Sequence, residues 1–142
     1  MNSAIAKEGT AEEVSAALEE GQAWFDMYAT SDDGYQNINV TIQNIQAVYG
    51  APADVNTLVD ASLDTLRSAL EAQGASSVSV EKGASSFLGE DSLCTLASGT
   101  MEGVPFFETQ VYMKKGSYIL CATAISYSEN QTASLLDMFR PL

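Results

Sequence analysis

The chain has 142 residues, with six Lys and Arg against nineteen Asp and Glu, a net charge of −13 and no histidine. Acids spread along the chain repel phosphate backbones and anionic lipid head groups, which argues against nucleic-acid binding and charge-driven membrane docking. Without histidine there is no Ser-His-Asp or Cys-His nucleophile and no usual zinc or non-haem iron ligand set, so an enzyme here would run on carboxylates, Lys, Tyr or Cys.

The length suits one domain spanning residues 1–142, able to bury about 68–70% of its unfolded surface. No run approaches the ~18 consecutive apolar residues of a membrane helix, and Met1 to Thr10 lacks a signal-peptide pattern. Thr10 with Glu13 forms a capping-box pattern, and Ala11 to Glu20 carries Val14, Ala17 and Leu18 on one face before Gly21. Ala23–Thr30 and Gln36–Ala47 are strand-like runs around the turn signal Ser31-Asp32-Asp33-Gly34. In the second run Ile38, Val40 and Ile42 share one face and Asn37, Asn39, Thr41 and Gln43 the other.

Gly50-Ala51-Pro52 breaks the chain. Asp54 to Gln73 then repeats Val55, Leu58, Val59, Ser62, Leu63, Leu66, Ala69 and Leu70 at helical spacing, with Asp54 or Thr57 as cap and Gly74 as stop. Ser77 to Lys82 alternates as a short strand, turns follow at Gly83 and at Gly89-Glu90-Asp91, and Ser92 to Gly99 is a further strand.

Val104 to Tyr127 is the strongest hairpin signal, turning at Lys115-Gly116. With Lys114 facing Ser117, Val111 pairs with Leu120 on one face and Tyr112 with Ile119 on the other. Both faces are then substantially apolar and call for cover on both sides. A turn over Thr100 to Gly103 places Cys94 opposite Thr109 and Cys121 opposite Gln110, on opposite faces and about 10 Å apart, beyond the reach of a disulfide. Two buried free thiols are expected. Ser128 with Gln131 resembles a capping box for a last helix bearing Leu135, Leu136 and Phe139 before Pro141. The simplest assembly is α+β, a central antiparallel sheet flanked by helices on both faces as a three-layer α/β/α sandwich.

The segments WFDMYATSDDGYQNINVTIQNI, VEKGASSFLGEDSLCTL, QVYMKKGSYILCATAIS and LLDMFRPL, with the long helix between them, resemble the PsbP-like fold. That group includes the photosystem II extrinsic protein and the Mog-type Ran-binding protein. The acidic helix TAEEVSAALEEG ahead of FDMYA is most similar to domains of Gram-positive envelope lipoproteins. The resemblance implies an extracytoplasmic module, membrane-anchored in its full-length form, that binds a protein or envelope component, and it offers no catalytic residue to carry over. Relatives place an anchor signal and one or two strands ahead of that helix, where this chain has only Met1 to Gly9. The expectation is therefore a domain lacking those parts, with an unpaired sheet edge open to a partner or a second copy.

Candidate sites are few. Asp32 and Asp33 beside Gly34, and Glu90 with Asp91 after Gly89, read as turn chemistry more readily than as calcium ligands, because neither follows an EF-hand spacing. Adjacent acids such as Glu12-Glu13 and Glu19-Glu20 point to different sides of a helix and do not make a glycosidase pair. Lys114 and Lys115 read as a solvated turn. A ligand-binding surface is expected where Trp24, Tyr28 and Tyr35 meet the polar row Asn37, Asn39 and Thr41, since amides and hydroxyls on a strand fix an uncharged ligand. No metal or cofactor is expected. The leading reading is a non-catalytic binding or surface module. The alternatives are a small-molecule carrier or carboxylate-based hydrolase with its pocket between sheet and helix, and an intracellular protein-binding module.

Overall fold

The computed structural model describes residues 23–44 and 54–140, and of residues 23–26 the backbone alone. The expected helix over Ala11–Glu20, with its capping box and acidic pairs, and the break at Gly50-Ala51-Pro52 lie outside the described residues. Strands β1 (Ala23–Thr30) and β2 (Gln36–Asn44) come first, followed by helix α1 (Val55–Ala72). Strands β3 (Ser76–Phe87), β4 (Glu90–Met101), β5 (Val104–Lys115) and β6 (Tyr118–Tyr127) follow, and the single turn α2 (Thr132–Leu136) comes last. The strands form one antiparallel sheet in the order β1-β2-β6-β5-β4-β3.

From β3 to β6 the chain runs as a meander of two-residue hairpins. Leu88-Gly89 and Glu102-Gly103 both hold positive φ at their two central positions, the geometry whose twist matches that of the flanking strands. At the third hairpin Lys115 faces Tyr118, so the turn is Gly116-Ser117. Each expected pair is thereby displaced by two residues: Val111 faces Ala122, and Tyr112 faces Cys121. The same displacement puts Cys94 opposite Val111. A shift of two leaves every side chain on its expected face, whereas a shift of one would have inverted the sheet.

Gly83 does not turn the chain as expected. It lies inside β3 opposite Cys94, and a Cβ there would sit 2.7 Å from Leu96 Cδ1. Glycine in this strand marks a close approach of a neighbouring side chain, so Ser76–Phe87 runs as one strand. Gly99 does the same for the Phe106 ring directly across from it, where a Cβ would lie 2.9 Å from both that ring and the Ser76 carbonyl.

The expected three-layer sandwich is not what forms. The molecule is chiefly one six-stranded sheet with few helices, and α1 lies on one face. The other face carries Ile38, Val40, Cys94, Val111, Ala122 and Ala124, and it does need cover, as both apolar faces of the central hairpin require. That cover comes from Leu135 and Leu136 of α2, from Phe139, and from Phe87 and Leu88 at the end of β3, not from a helical layer. Alanines at 122 and 124 let a single turn pack close, and the Phe87 and Phe139 rings meet at 5.2 Å between centroids. The Ser128–Gln131 capping box does not form either. Asn130 Oδ1 accepts the Thr132 N–H and hydroxyl, and the Thr109 hydroxyl donates to Thr132 Oγ1 at 2.8 Å, which pins α2 to β5. By contrast α1 starts as read, with the Asp54 carboxylate accepting the Thr57 N–H at 2.9 Å.

Both cysteines are free. Cys94 is buried among the apolar residues of the α2 face, and Cys121 is half-buried on the face beneath α1. Among the described residues no helix is long and apolar enough to cross a membrane.

If one turn closes this face, Leu136→Ala will cost about 2–5 kcal/mol in urea unfolding. Met138→Ala, at a side chain 70% exposed, will stay within about 0.5 kcal/mol of the parent. Burial pushes the Cys94 thiol up from 9.0 to about 11. The folded state disfavours the thiolate, so the thiol's contribution to stability is whole below pH 9 and is lost as pH rises from 9 to about 11. The urea midpoint of Cys94→Ala will therefore fall less steeply across that interval than that of the parent.

Candidate functional site: a cleft between helix and sheet

Helix α1 is held toward one edge of the sheet. Asp60 pairs with Lys82 Nζ at 2.8 Å, and Arg67 Nη2 reaches the Val80 carbonyl at 3.4 Å, both on β3. Near its C-terminal end Leu70 packs with Ala75, Val80, Ala97 and Phe106, and near its start Leu58 packs on Ile119. Between these two apolar contacts the helix presents Ala61, Ser62, Thr65 and Ala69, too small to reach the strands below. The result is a cleft of about 460 Å³ over β5, β6 and β2, within the size range of small-molecule sites.

The floor of this face is polar in a particular way. Tyr28, Asn39, Thr123, Gln110, Thr95 and Lys82 stand opposite one another in register, one from each strand, and so make a single row across the whole sheet. Asn39, Thr95 and Thr123 are buried. One row away lies Glu108, only 6% exposed, with Ala97 and Ile125 as its cross-strand neighbours. Along β5 the Tyr112 phenol donates to Gln110 Oε1 at 2.8 Å, and Gln110 Nε2 donates to Glu108 Oε1 at 2.6 Å. The direction of this relay fixes the Gln110 amide. Ser62 Oγ sits 3.5 Å from the phenol and gives its own hydrogen to the Val59 carbonyl at 2.8 Å.

Burial holds the Tyr112 phenol protonated far above the usual tyrosine range, with nearby Cys121 and Glu108 acting in the same direction and Ser62 and Thr95 opposing it. Tyr112 is therefore a hydrogen-bond donor at neutral pH, not a base. The Thr95 hydroxyl lies near enough to moderate that acidity, yet it is outside hydrogen-bonding geometry and, like Asn37 Oδ1 and Asn39 Oδ1, has no partner. Cys121 Sγ is 3.8 Å from Thr123 Oγ1. Among the described residues lining the cleft Glu108 is the one charged side chain, and none is basic.

Of the residues expected to bind a ligand, the structure gathers some and separates others. Tyr28, Asn37, Asn39 and Thr41 share the face beneath α1, and the Tyr28 hydroxyl accepts from Thr30 Oγ1 at 2.6 Å and from Asn37 Nδ2 at 3.0 Å. Thr41 lines the cleft, joined there by Gln43. Tyr35 stands apart on the β1–β2 loop, 48% exposed, and its carbonyl accepts the Tyr127 N–H. The side chain of Trp24 lies outside the described residues, and its backbone pairs with Ile42. Asp33 is occupied in the turn. Its carboxylate accepts from the Ser31 hydroxyl and the Tyr35 N–H, and these bonds lower its pKa.

The sequence reading passed over Glu108, Gln110 and Tyr112. The signal was present, since a strand central to an apolar hairpin carries two hydrogen-bonding side chains and an acid on one face.

Neither a family model nor a curated protein matches the sequence. Among solved structures the chain is similar to a protein of unknown function from Pseudomonas aeruginosa, provisionally described as a regulator. The match has 14% identity and a TM-score of 0.38, over 73% of this chain and 67% of that one. At that level neither its fold nor its description is carried over.

Spectrophotometric titration of the parent minus Tyr112→Phe will show no phenolate from Tyr112 at pH 10, where an ordinary tyrosine is half ionised. A difference signal developing at that pH would refute the buried, donating phenol.

Proposed function

We propose that this chain is a binding domain, not an enzyme, and that it holds a small amphipathic molecule in the cleft between α1 and the sheet. The observation that supports it most is the pairing of an apolar roof with a polar floor. Leu58, Leu66, Leu70, Phe106 and Ile119 offer apolar surface, and Glu108, Gln110, Tyr112 and Thr41 offer oriented polar groups. Sites of this composition fix a ligand by burial and orient it with a few hydrogen bonds.

Catalysis finds less support. A carboxylate-based hydrolase needs two acids across the scissile bond, and the described lining supplies Glu108 alone. Tyr112 is held protonated, and Cys121 has no histidine to activate it. The resemblance to PsbP-like envelope domains, which act mostly by binding, favours the same side and gives an extracytoplasmic, anchored setting for the module.

A thermal-shift screen of uncharged and charged amphiphiles will find saturable stabilisation, reaching about 2.7 kcal/mol at a hundredfold excess over Kd. Ala61→Trp, at an exposed position on the helical wall, will abolish it while leaving the unliganded melting temperature nearly unchanged. Stabilisation that persists in Ala61→Trp, or no stabilisation by any amphiphile, would remove the cleft as the binding site.

A further inference from the structure

We infer that the ligand's head group is an amine, seated against Glu108, with an apolar alkyl or aryl body lying under α1. This rests on the cleft being the binding site, and it specifies what that site selects.

The argument begins with charge. Glu108 is buried, its immediate cross-strand neighbours Ala97 and Ile125 are apolar, and the described lining contains no Lys or Arg to receive a carboxylate or phosphate. In surroundings of low effective dielectric an anion brought near Glu108 is repelled, whereas an ammonium group is attracted far more strongly than it would be at the surface. The net charge of −13 extends the same preference outward from the cleft. Fatty acids and phosphate esters are thereby disfavoured, although their tails would suit the roof.

The hydrogen bonds point the same way. Tyr112 spends its hydroxyl hydrogen on Gln110, and Gln110 spends an amide hydrogen on Glu108. Two of the donors on the floor are thus turned inward along the relay, and the relay terminates on an acceptor. Asn39 Oδ1, buried in the adjoining part of the same face without a partner, adds a further acceptor. An acceptor-rich floor is matched by a head group that brings several N–H donors and no lone-pair demand, as an ammonium does.

The test holds the body constant and changes the head. Octylamine, octanol and octanoate are titrated calorimetrically into the whole chain at pH 7, and phenethylamine and 3-phenylpropionate repeat the comparison with an aryl body. Octylamine is expected to bind at least about tenfold tighter than octanol, with octanoate weakest. In Glu108→Gln the amine should lose that advantage while octanol keeps its affinity. If octanol or octanoate binds as tightly as octylamine, and Ala61→Trp still removes that binding, the head-group inference is overturned and the cleft stands. If no member of either set binds, or Ala61→Trp leaves binding unchanged, the cleft reading itself falls and this inference with it. Should Glu108→Gln fail to fold, the ranking of head groups on the unaltered chain decides alone.

Discussion

Polar side chains in register across a sheet cannot be sealed under a helix unless each finds a partner, and this constraint shapes the whole α1 face. A buried acceptor without a bond costs about 1–3 kcal/mol, and a row of them would outweigh the packing of several leucines. The chain resolves the conflict by position. Apolar contact is confined to the two ends of α1, at Leu58 on Ile119 and Leu70 on Phe106, while the middle of the helix is small. The Asp60–Lys82 pair and the Arg67 contact both lie on β3, so the helix is drawn toward one edge and the polar row remains partly roofed instead of crushed. Gly99 contributes by letting the Phe106 ring lie across β4, which closes one end of the cleft with an aromatic wall.

The opposite face obeys a different rule. Its central residues are small or branched and carry almost no hydrogen-bonding demand, so they can be covered by whatever apolar group is near. A five-residue turn, two phenylalanines and a leucine from a hairpin suffice. One polar contact, Thr109 to Thr132, serves to place that turn. The sheet is thus dry on one side and selective on the other, and its residues differ accordingly at alternate positions of the same strands.

Much of this was legible in the sequence and some was not, for reasons that can be traced to particular residues. The alternation in β2, the caps and stripe of α1 and the two-sided apolar character of β5 and β6 all rest on local periodicity, and they appear where expected. Register came out two residues away because Lys-Gly and Gly-Ser both suit a two-residue turn, and side-chain facing cannot choose between registers that differ by two. Gly83 reads as a turn because sequence shows flexibility but not the Leu96 methyl that occupies the vacant space. The helical layer assumed over the second face failed because the need for cover is visible in a sequence while the means of cover is not. Thr41 was legible as a cleft residue from the polar row of β2. Glu108, Gln110 and Tyr112 were not, since their meaning depends on how far α1 stands from the strands beneath it.

The succession of two-residue hairpins from β3 to β6 also sets the order in which this chain can assemble. Each of those pairings joins neighbours in sequence, so its loop-closure entropy is small and it can form early. The junction of β2 with β6 is of another kind, because it brings Gln36 beside Ser126 and Asn44 beside Tyr118 across the intervening helix and three strands. Its entropic cost is met only once β6 already stands in the meander as a template. The cleft is floored by both parts, β5 and β6 from the local meander and β2 from the late arrival, so the binding surface is complete only at the last step of folding.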